Sequence, residues 1–340
     1  MPSASRHWLP QITFTLAILI LAAPFGGFLY QNISLIRERR ANPMPGRLVA
    51  FGGYKMHLDC TGQGSPPVVL DSGLGDSFVE WQTVQSQIAK FVQVCSYDRA
   101  GMGYSEASPR PRTARVFAEE LHSLVHAAGL QPPYILVGHS MAGFTLRLYA
   151  ARYRSDVAGI VLVDSSHPDQ FKRLPPDPPG TNAKWIQEAE FLELTTPIGI
   201  PRLLGYCGDP AALRAAECTF EDARENTAER RTFRESAAQA GAAGDLGDLP
   251  LLVLSHRLNH HDPEVSANLE AATNRAFDEM QQELTRLSTR GRRIIAENSG
   301  HYIQHDRPDV VIAAVHQMVD ECRQPGNRRA PAITSTQHAP

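Results

Sequence analysis

At 340 residues the chain exceeds one average domain, yet a single large α/β domain can absorb that length. A hydrophobic share of 42% with 20% charged residues suits a globular protein with a substantial core, and with a net charge of −3 nothing suggests the basic face that a nucleic-acid partner would need. No internal repeat and no long low-complexity tract is visible.

The N-terminus departs from this average. No charged residue occurs from Ile12 to Tyr30, and the first part of that run is almost wholly apolar. Roughly 19 residues at about 1.5 Å each reach about 28 Å, close to a bilayer core. Trp8 and Tyr30 stand at its ends, where interfacial aromatics are expected. The run predicts a single-pass N-terminal transmembrane helix within residues 1–30. A cleaved signal peptide ranks behind it, because Ala22-Ala23 leads straight into Pro24, a poor cleavage context; a buried core helix ranks last. Orientation is open. Arg37, Arg39 and Arg40 after the span favour a cytoplasmic catalytic domain. Cysteine usage favours export: Cys60 and Cys95 fall on neighbouring predicted strands, and Cys207 and Cys218 lie close together in one inserted segment. Two such pairs, with Cys322 left over, suggest an oxidising compartment, against the alternative of five buried thiols. The balance leans towards an extracytoplasmic catalytic domain.

Residues 31–46 read as a charged, then Pro-broken, linker. Leu48–Phe51 and Tyr54–Cys60 form a predicted hairpin around Gly52-Gly53. Val68–Leu70 is a short buried strand, followed by a Gly-rich turn, a helix through Trp81–Phe91 and a strand over Val92–Tyr97. Helical spacing of Val116, Phe117, Leu121, Leu124 and Val125 predicts a helix over Thr113–Ala128. A strand at Tyr134–Val137, a helix at Gly143–Tyr153 and a strand at Ile160–Val163 continue an alternation that builds a mainly parallel sheet covered on both faces. The alternation then pauses. Residues 166–248 open on Pro175-Pro176-Asp177-Pro178-Pro179 and continue rich in Ala, Glu and Arg; the segment is too long for a loop and reads as an inserted helical cap. Core pattern resumes over 249–323, with a strand at Leu251–Leu254, a helix at Glu264–Leu287, a strand at Arg293–Glu297 and a helix at Pro308–Cys322. The first part of the core spans 47–165, and 324–340 is a polar tail with a disordered composition.

Gly138-His139-Ser140-Met141-Ala142-Gly143 lies between a predicted strand and a predicted helix. Small residues two before and two after Ser140 let strand and helix approach while the turn projects the serine oxygen into a cleft, and the helix N-terminus favours developing negative charge. Ala142 relaxes the strict Gly-x-Ser-x-Gly frame by one methyl. His301, in Ser299-Gly300-His301, follows the last predicted strand, where a loop can return an imidazole over the sheet edge to act as base. His305 and His316 fall in or at a helix and read as ordinary residues. The acid is a choice between Asp164, at a strand end, and Asp262, several residues beyond its strand, with Asp169 and Glu264 behind them. Asp164 is favoured because its position is rigid. The oxyanion donors expected are the backbone N–H groups of Met141 and of Leu74, in Asp71-Ser72-Gly73-Leu74-Gly75. His256, His260, His261 and Asp262 cluster in one polar stretch, but no second ligand group accompanies them, so no metal and no cofactor is expected.

The order of Ser72-Gly73-Leu74-Gly75, Tyr97-Asp98-Arg99-Ala100-Gly101-Met102-Gly103-Tyr104-Ser105, Gly138-His139-Ser140-Met141 and Gly300-His301 resembles the α/β-hydrolase superfamily across roughly residues 47–322. The Asp98-Arg99-x-Gly101-x-Gly103-x-Ser105 motif is among its most specific, and the resemblance implies a mainly structural role for it. Two departures stand out: Ser72-Gly73 replaces the commoner His-Gly, and no acid directly follows Leu251–Leu254, where many members keep theirs. Other members carry the acid one strand earlier, where Asp164 stands. The resemblance implies hydrolysis of a small carboxylic ester, possessed of some lipophilicity if the anchor is a guide, with amide, peptide or lactone substrates as alternatives. A serine nucleophile argues against haloalkane or epoxide chemistry, which resembling families perform with Asp. A non-enzymatic, membrane-tethered binding protein on the same fold is the competing class; retention of both Ser140 and His301 argues against it.

Overall fold

The computed structural model describes residues 8–175, 181–257 and 266–324, with side chains from 22 onward in the first helix and from 183 onward in the cap. The first helix, α1 (Trp8–Ala41), is 34 residues long and carries Pro24 inside it. The segment from 31 to 41, expected as linker, continues this helix; the chain breaks only at Asn42-Pro43. Contacts with the cap along the second half of the helix explain the continuity. Gly27 approaches the cap so closely that a Cβ there would lie 2.2 Å from the Ile198 carbonyl oxygen. Further along, Gln31 Nε2 donates to Cys218 O at 2.7 Å, and Glu38 accepts from Arg202 at 2.6 and 2.7 Å and from Arg214 at 3.0 Å.

This corrects the expected localisation. Among the described residues no helix is long and apolar enough to cross a membrane, so the single-pass anchor and the membrane orientation built on it fall. The second half of α1 is a docked, charged element, running through Arg37-Glu38-Arg39-Arg40 onto the cap.

An eight-stranded sheet follows: β1 (Arg47–Phe51), β2 (Tyr54–Thr61), β3 (Val68–Asp71), β4 (Val94–Tyr97), β5 (Tyr134–His139), β6 (Val157–Val163), β7 (Leu251–Arg257) and β8 (Gly291–Glu297). Their spatial order is β1-β2-β4-β3-β5-β6-β7-β8, with only the β1–β2 and β2–β4 pairs antiparallel. Every residue of β3, β4 and β5 is buried, the signature of parallel strands covered on both faces. One face packs on α3 (Ala114–Ala127) and α4 (Ala142–Arg152), where Leu121, Leu124 and Leu146 meet Leu136, Leu162 and Val253. The other packs on α2 (Gln82–Ile88) and the C-terminal helix, through Val84, Ile88, Val315 and Met318. Cys60 and Cys95 face each other in the β2–β4 register and form a disulfide; Cys207 pairs with Cys218, and Cys322 is free.

The insertion between β6 and β7 is helical, as its composition predicts: α5 (Gln170–Arg173), α6 (Thr181–Thr195), α7 (Ile200–Leu203), α8 (Ala211–Glu217) and α9 (Phe220–Gly241). The longest, α9, starts on Thr219, whose hydroxyl accepts from the Asp222 N–H at 3.1 Å and so satisfies an end donor. It buries Asp222, Glu225 and Glu229 against the core, then Phe233, Ala237 and Ala240. After β7 come α10 (Ala267–Thr285), β8, the short α11 (Ile303–Asp306) and α12 (Pro308–Arg323). Asp262, Glu264, His260 and His261 lie outside the described residues, as does the polar tail beyond 324.

Candidate active site

The parallel strands β5, β6 and β7 end on one edge of the sheet, and the candidate site residues gather there. Ser140 occupies the single turn between β5 and α4 with φ of 52°, a left-handed conformation rare for a residue with a Cβ. Its N–H donates to Val163 O at 3.0 Å, and its carbonyl accepts from Gly143 at 3.1 Å, so neighbouring structure holds the strained turn. The tight position is Gly143: a Cβ there would sit 1.8 Å from Ser165 Oγ. Ala142 instead turns its methyl towards Gly138, which explains how the frame tolerates an alanine two residues after the serine.

His301 follows β8, held by a Gly300 N–H to Asp306 bond of 2.7 Å and by His139 Nε2, which donates to the His301 carbonyl at 3.1 Å. Its Nε2 stands 3.0 Å from Ser140 Oγ and its Nδ1 2.6 Å from Asp164 Oδ2. Asp164 caps β6 with φ of 46° and is fully buried. Of the two candidate acids among the described residues, Asp164 and Asp169, Asp164 is the one joined to His301. Asp169 lies on an exposed turn, where its Oδ1 accepts from Lys172 at 2.8 Å. His305 pairs with Glu80 and His316 with Asp320, each away from Ser140.

Asp164 has a second imidazole partner that sequence reasoning missed. His256, near the end of β7, donates its backbone N–H to Oδ1 at 2.9 Å and places Nδ1 2.9 and 2.8 Å from the two carboxylate oxygens. Its ring packs on Phe277. Burial alone would raise the Asp164 pKa, but the hydrogen bonds from His256 and His301 outweigh it and hold the carboxyl below its ordinary range. The signal for His256 was register: β6 and β7 are parallel, Val163 lies opposite Leu254, and the strand end just beyond brings residue 256 to the carboxylate. Grouping His256 with His260 and His261 hid it.

The Gly-rich turn after β3, expected to supply an oxyanion donor, is braced from the core. Ser72, in the place of the commoner histidine, closes the turn by donating to Ser77 O at 2.8 Å. Gly73 is required, since a Cβ would lie 2.6 Å from Asp76 Oδ2 and 2.8 Å from His139 Nδ1. Arg99 donates to Ser72 O and Gly73 O, to Asp71 at 3.1 Å, and to both oxygens of Glu229 on α9, at 2.6 and 3.0 Å. Glu229 also accepts from Gly75 N at 3.0 Å, so one buried guanidinium ties turn and cap together. Asp98 serves similarly, accepting from Phe78 N, Tyr104 N and His57 Nδ1. Ser140 N, Gly143 N and Gly75 N are all committed to acceptors within the chain. Among the described residues the Leu74 and Met141 N–H groups have no such acceptor.

A cavity of about 420 Å³ opens over Ser140, with Leu74 and His301 on the core side and Trp185, Arg230, Phe233 and Met280 among its remaining walls. Two groups of described residues bring three metal-ligating atoms within 4.8 Å of one another. The first is Asp164, His256 and His301, whose carboxylate is already shared between two imidazoles. The second is His122 and His126 with Asp156, which precedes β6 and therefore lies at the opposite edge of the sheet.

Comparison with known proteins agrees with this architecture. A model of the α/β hydrolase fold matches residues 66–308. An uncharacterised protein of Bacillus subtilis, YqjL, is 26% identical over 259 residues, covering 76% of this chain and 85% of that protein. A thermophilic esterase from Thermogutta terrifontis superposes with a TM-score of 0.57 at 20% identity, over 82% of this chain and 99% of the esterase. The Cif epoxide hydrolase from Acinetobacter nosocomialis superposes with a TM-score of 0.65 at 14% identity, over 86% and 96%. At these identities the structural likenesses speak to the fold alone.

Proposed function

The chain belongs to the α/β hydrolase fold family, and from that premise we propose that it is a serine hydrolase that cleaves small carboxylic esters through an acyl-enzyme on Ser140. The observation that carries the proposal is the continuous chain from Ser140 Oγ to His301, 3.0 Å, and from His301 to the buried Asp164, 2.6 Å. In this reading His301 Nε2 takes the serine proton as Oγ bonds to the ester carbonyl carbon. The tetrahedral oxyanion draws on the N–H groups of Leu74 and Met141, and Asp164 fixes the His301 tautomer and balances the imidazolium. His301 then passes its proton to the departing alkoxide as the ester C–O bond breaks. Water, deprotonated by the same imidazole, releases the acid and regenerates Ser140. A cavity of about 420 Å³ suits a small molecule rather than a folded polymer.

The hydroxyl nucleophile also argues for acyl transfer over epoxide opening or dehalogenation, which in resembling families uses a carboxylate at this turn. The test is a fluorophosphonate probe combined with turnover of a short aryl ester. The wild type should be labelled at Ser140 and turn over; Ser140→Ala should lose both. Retained turnover in the alanine variant sinks the reading.

A further inference from the structure

Among the described residues most charged groups around the cavity are paired, and Arg230 is an exception. Arg230 projects from α9 into the cavity that holds Ser140. Its guanidinium lies over the Trp185 ring, 4.8 Å from the centroid. Nε donates to Asn226 Oδ1 at 2.7 Å and Nη1 to the Trp185 carbonyl at 3.0 Å. Both acceptors are neutral. Among the described residues no carboxylate lies within ion-pair distance of Arg230, although its neighbour Arg231 pairs with Glu190 and Arg224, earlier on α9, pairs with Glu225. Two deeply buried arginines are paired as well, Arg99 by Glu229 and Asp71 and Arg112 by Glu120 and Glu225, whereas buried Arg147, on α4 and outside this cavity, has no carboxylate within ion-pair distance among the described residues. Burial pulls the Arg230 pKa below its ordinary value, and Glu188 offsets this only from a distance. A guanidinium nonetheless keeps its charge. A half-buried, fixed cation with no anionic partner is costly unless an anion arrives to meet it.

The two neutral acceptors and the indole face orient the group. Nε and Nη1 each have one acceptor, and among the described residues none meets Nη2, so the group keeps N–H donors for an incoming carboxylate, which a guanidinium can grip through two parallel bonds. The cavity's other fixed charges favour a monoanion over a phosphate dianion. Asp76 and Asp164 also line it, so a single guanidinium must balance whatever negative charge enters.

We propose that Arg230 is the receptor for a substrate carboxylate, so that the ester cleaved at Ser140 carries a free carboxylate remote from the scissile bond, as in a half-ester of a dicarboxylic acid. The identity of the cleaved bond rests on the serine-hydrolase reading; the anion site does not.

The experiment compares 4-nitrophenyl hemiglutarate with its neutral methyl-ester counterpart on the full chain. Hydrogen bonds to a charged group are worth about 1.5–3 kcal/mol, so kcat/KM should favour the anionic ester by about 10–150-fold. Arg230→Gln should collapse that ratio towards one. Arg230→Lys, which keeps the charge but not the fork, should retain a fraction of it and covers the case in which the glutamine variant folds poorly. A ratio near one in the wild type, or an unchanged ratio in Arg230→Gln, overturns the proposal; a purely structural role for Arg230 would lower both esters together. Calorimetric titration of the monoanion glutaramate and of neutral glutaramide into Ser140→Ala provides a readout free of turnover. Glutaramate should bind and glutaramide should not, and adding Arg230→Gln should abolish glutaramate binding. If aryl-ester turnover survives Ser140→Ala while glutaramate binding still requires Arg230, the hydrolase reading fails and the anion site stands. If turnover requires Ser140 but glutaramate binding ignores Arg230, the anion site fails alone.

Discussion

Replacing Asp164 with Asn tests how the carboxylate works, because every neighbour of Asp164 is a donor. Oδ1 accepts the His256 backbone N–H at 2.9 Å, Oδ2 accepts His301 Nδ1 at 2.6 Å, and His256 Nδ1 lies against both oxygens. An asparagine offers one oxygen and one NH₂. If its oxygen takes the Oδ2 place, the NH₂ opposes the His256 backbone N–H, which cannot give up its hydrogen. The favoured orientation therefore keeps the oxygen on His256 and turns the NH₂ towards His301 Nδ1. His301 must then hold its proton on Nε2, 3.0 Å from Ser140 Oγ, and becomes a donor where a base is required. By analogy with the wrong-tautomer effect in Ser-His-Asp proteases, kcat should fall about 10⁴-fold, or about 5 kcal/mol of transition-state stabilisation, with KM little changed. Steady-state hydrolysis of a 4-nitrophenyl ester gives the kinetics, and a thermal melt confirms that the variant is folded. A folded Asp164→Asn protein within tenfold of wild type would refute the assignment and direct attention to Asp262.

Three further perturbations probe the supports. His256→Ala should lower kcat about tenfold, since it frees one side of the carboxylate while His301 keeps its own bond. It should also raise the midpoint of acid unfolding: the depressed Asp164 pKa contributes stability that is present above the unfolded value near 4 and is lost as pH falls through the folded value, and removing His256 moves the folded value upward. An unchanged acid midpoint, followed by circular dichroism, would contradict that coupling. Gly143→Ala should destabilise the fold and cut turnover sharply, because its methyl would meet Ser165 Oγ at 1.8 Å, whereas Ala142→Gly should be mild; equal effects in melts and assays would misplace the tight contact. Glu229→Ala should cost about 3–5 kcal/mol in denaturant unfolding, since it leaves the buried Arg99 with Asp71 as its remaining carboxylate and releases Gly75 N. A loss below about 1 kcal/mol would mean that the cap is held chiefly by the apolar contacts around Phe233.

Local patterns in the chain carried much of the fold. The apolar spacing of Val116 to Val125 and the buried runs of β3 and β5 act through near neighbours, so their elements sit within a few residues of where periodicity puts them. Asp164 could be preferred over Asp262 because a strand end is rigid, and the structure joins that residue to His301. What escaped depends on distant parts of the chain. His256 is significant only through the β6–β7 register, and Arg99 meets Glu229 across 130 residues of sequence. The end of α1 misled for a related reason. Charged residues followed by Pro43 and Pro45 read as linker, but Glu38 and Arg39 find partners on the cap, and those contacts keep the helix going to Ala41. An apolar run long enough for a bilayer likewise could not reveal that the helix continues into a docked, charged segment.

The most direct test of the central claim is the mass of the intact protein after rapid mixing with 4-nitrophenyl acetate and an acid quench. The account predicts a transient gain of one acetyl group that maps to the peptide containing Ser140, persists longer when His301 is replaced by a non-basic residue after forced acylation, and is absent from Ser140→Ala. An unmodified Ser140 peptide during active turnover, or an acetyl group on any other side chain, would contradict it.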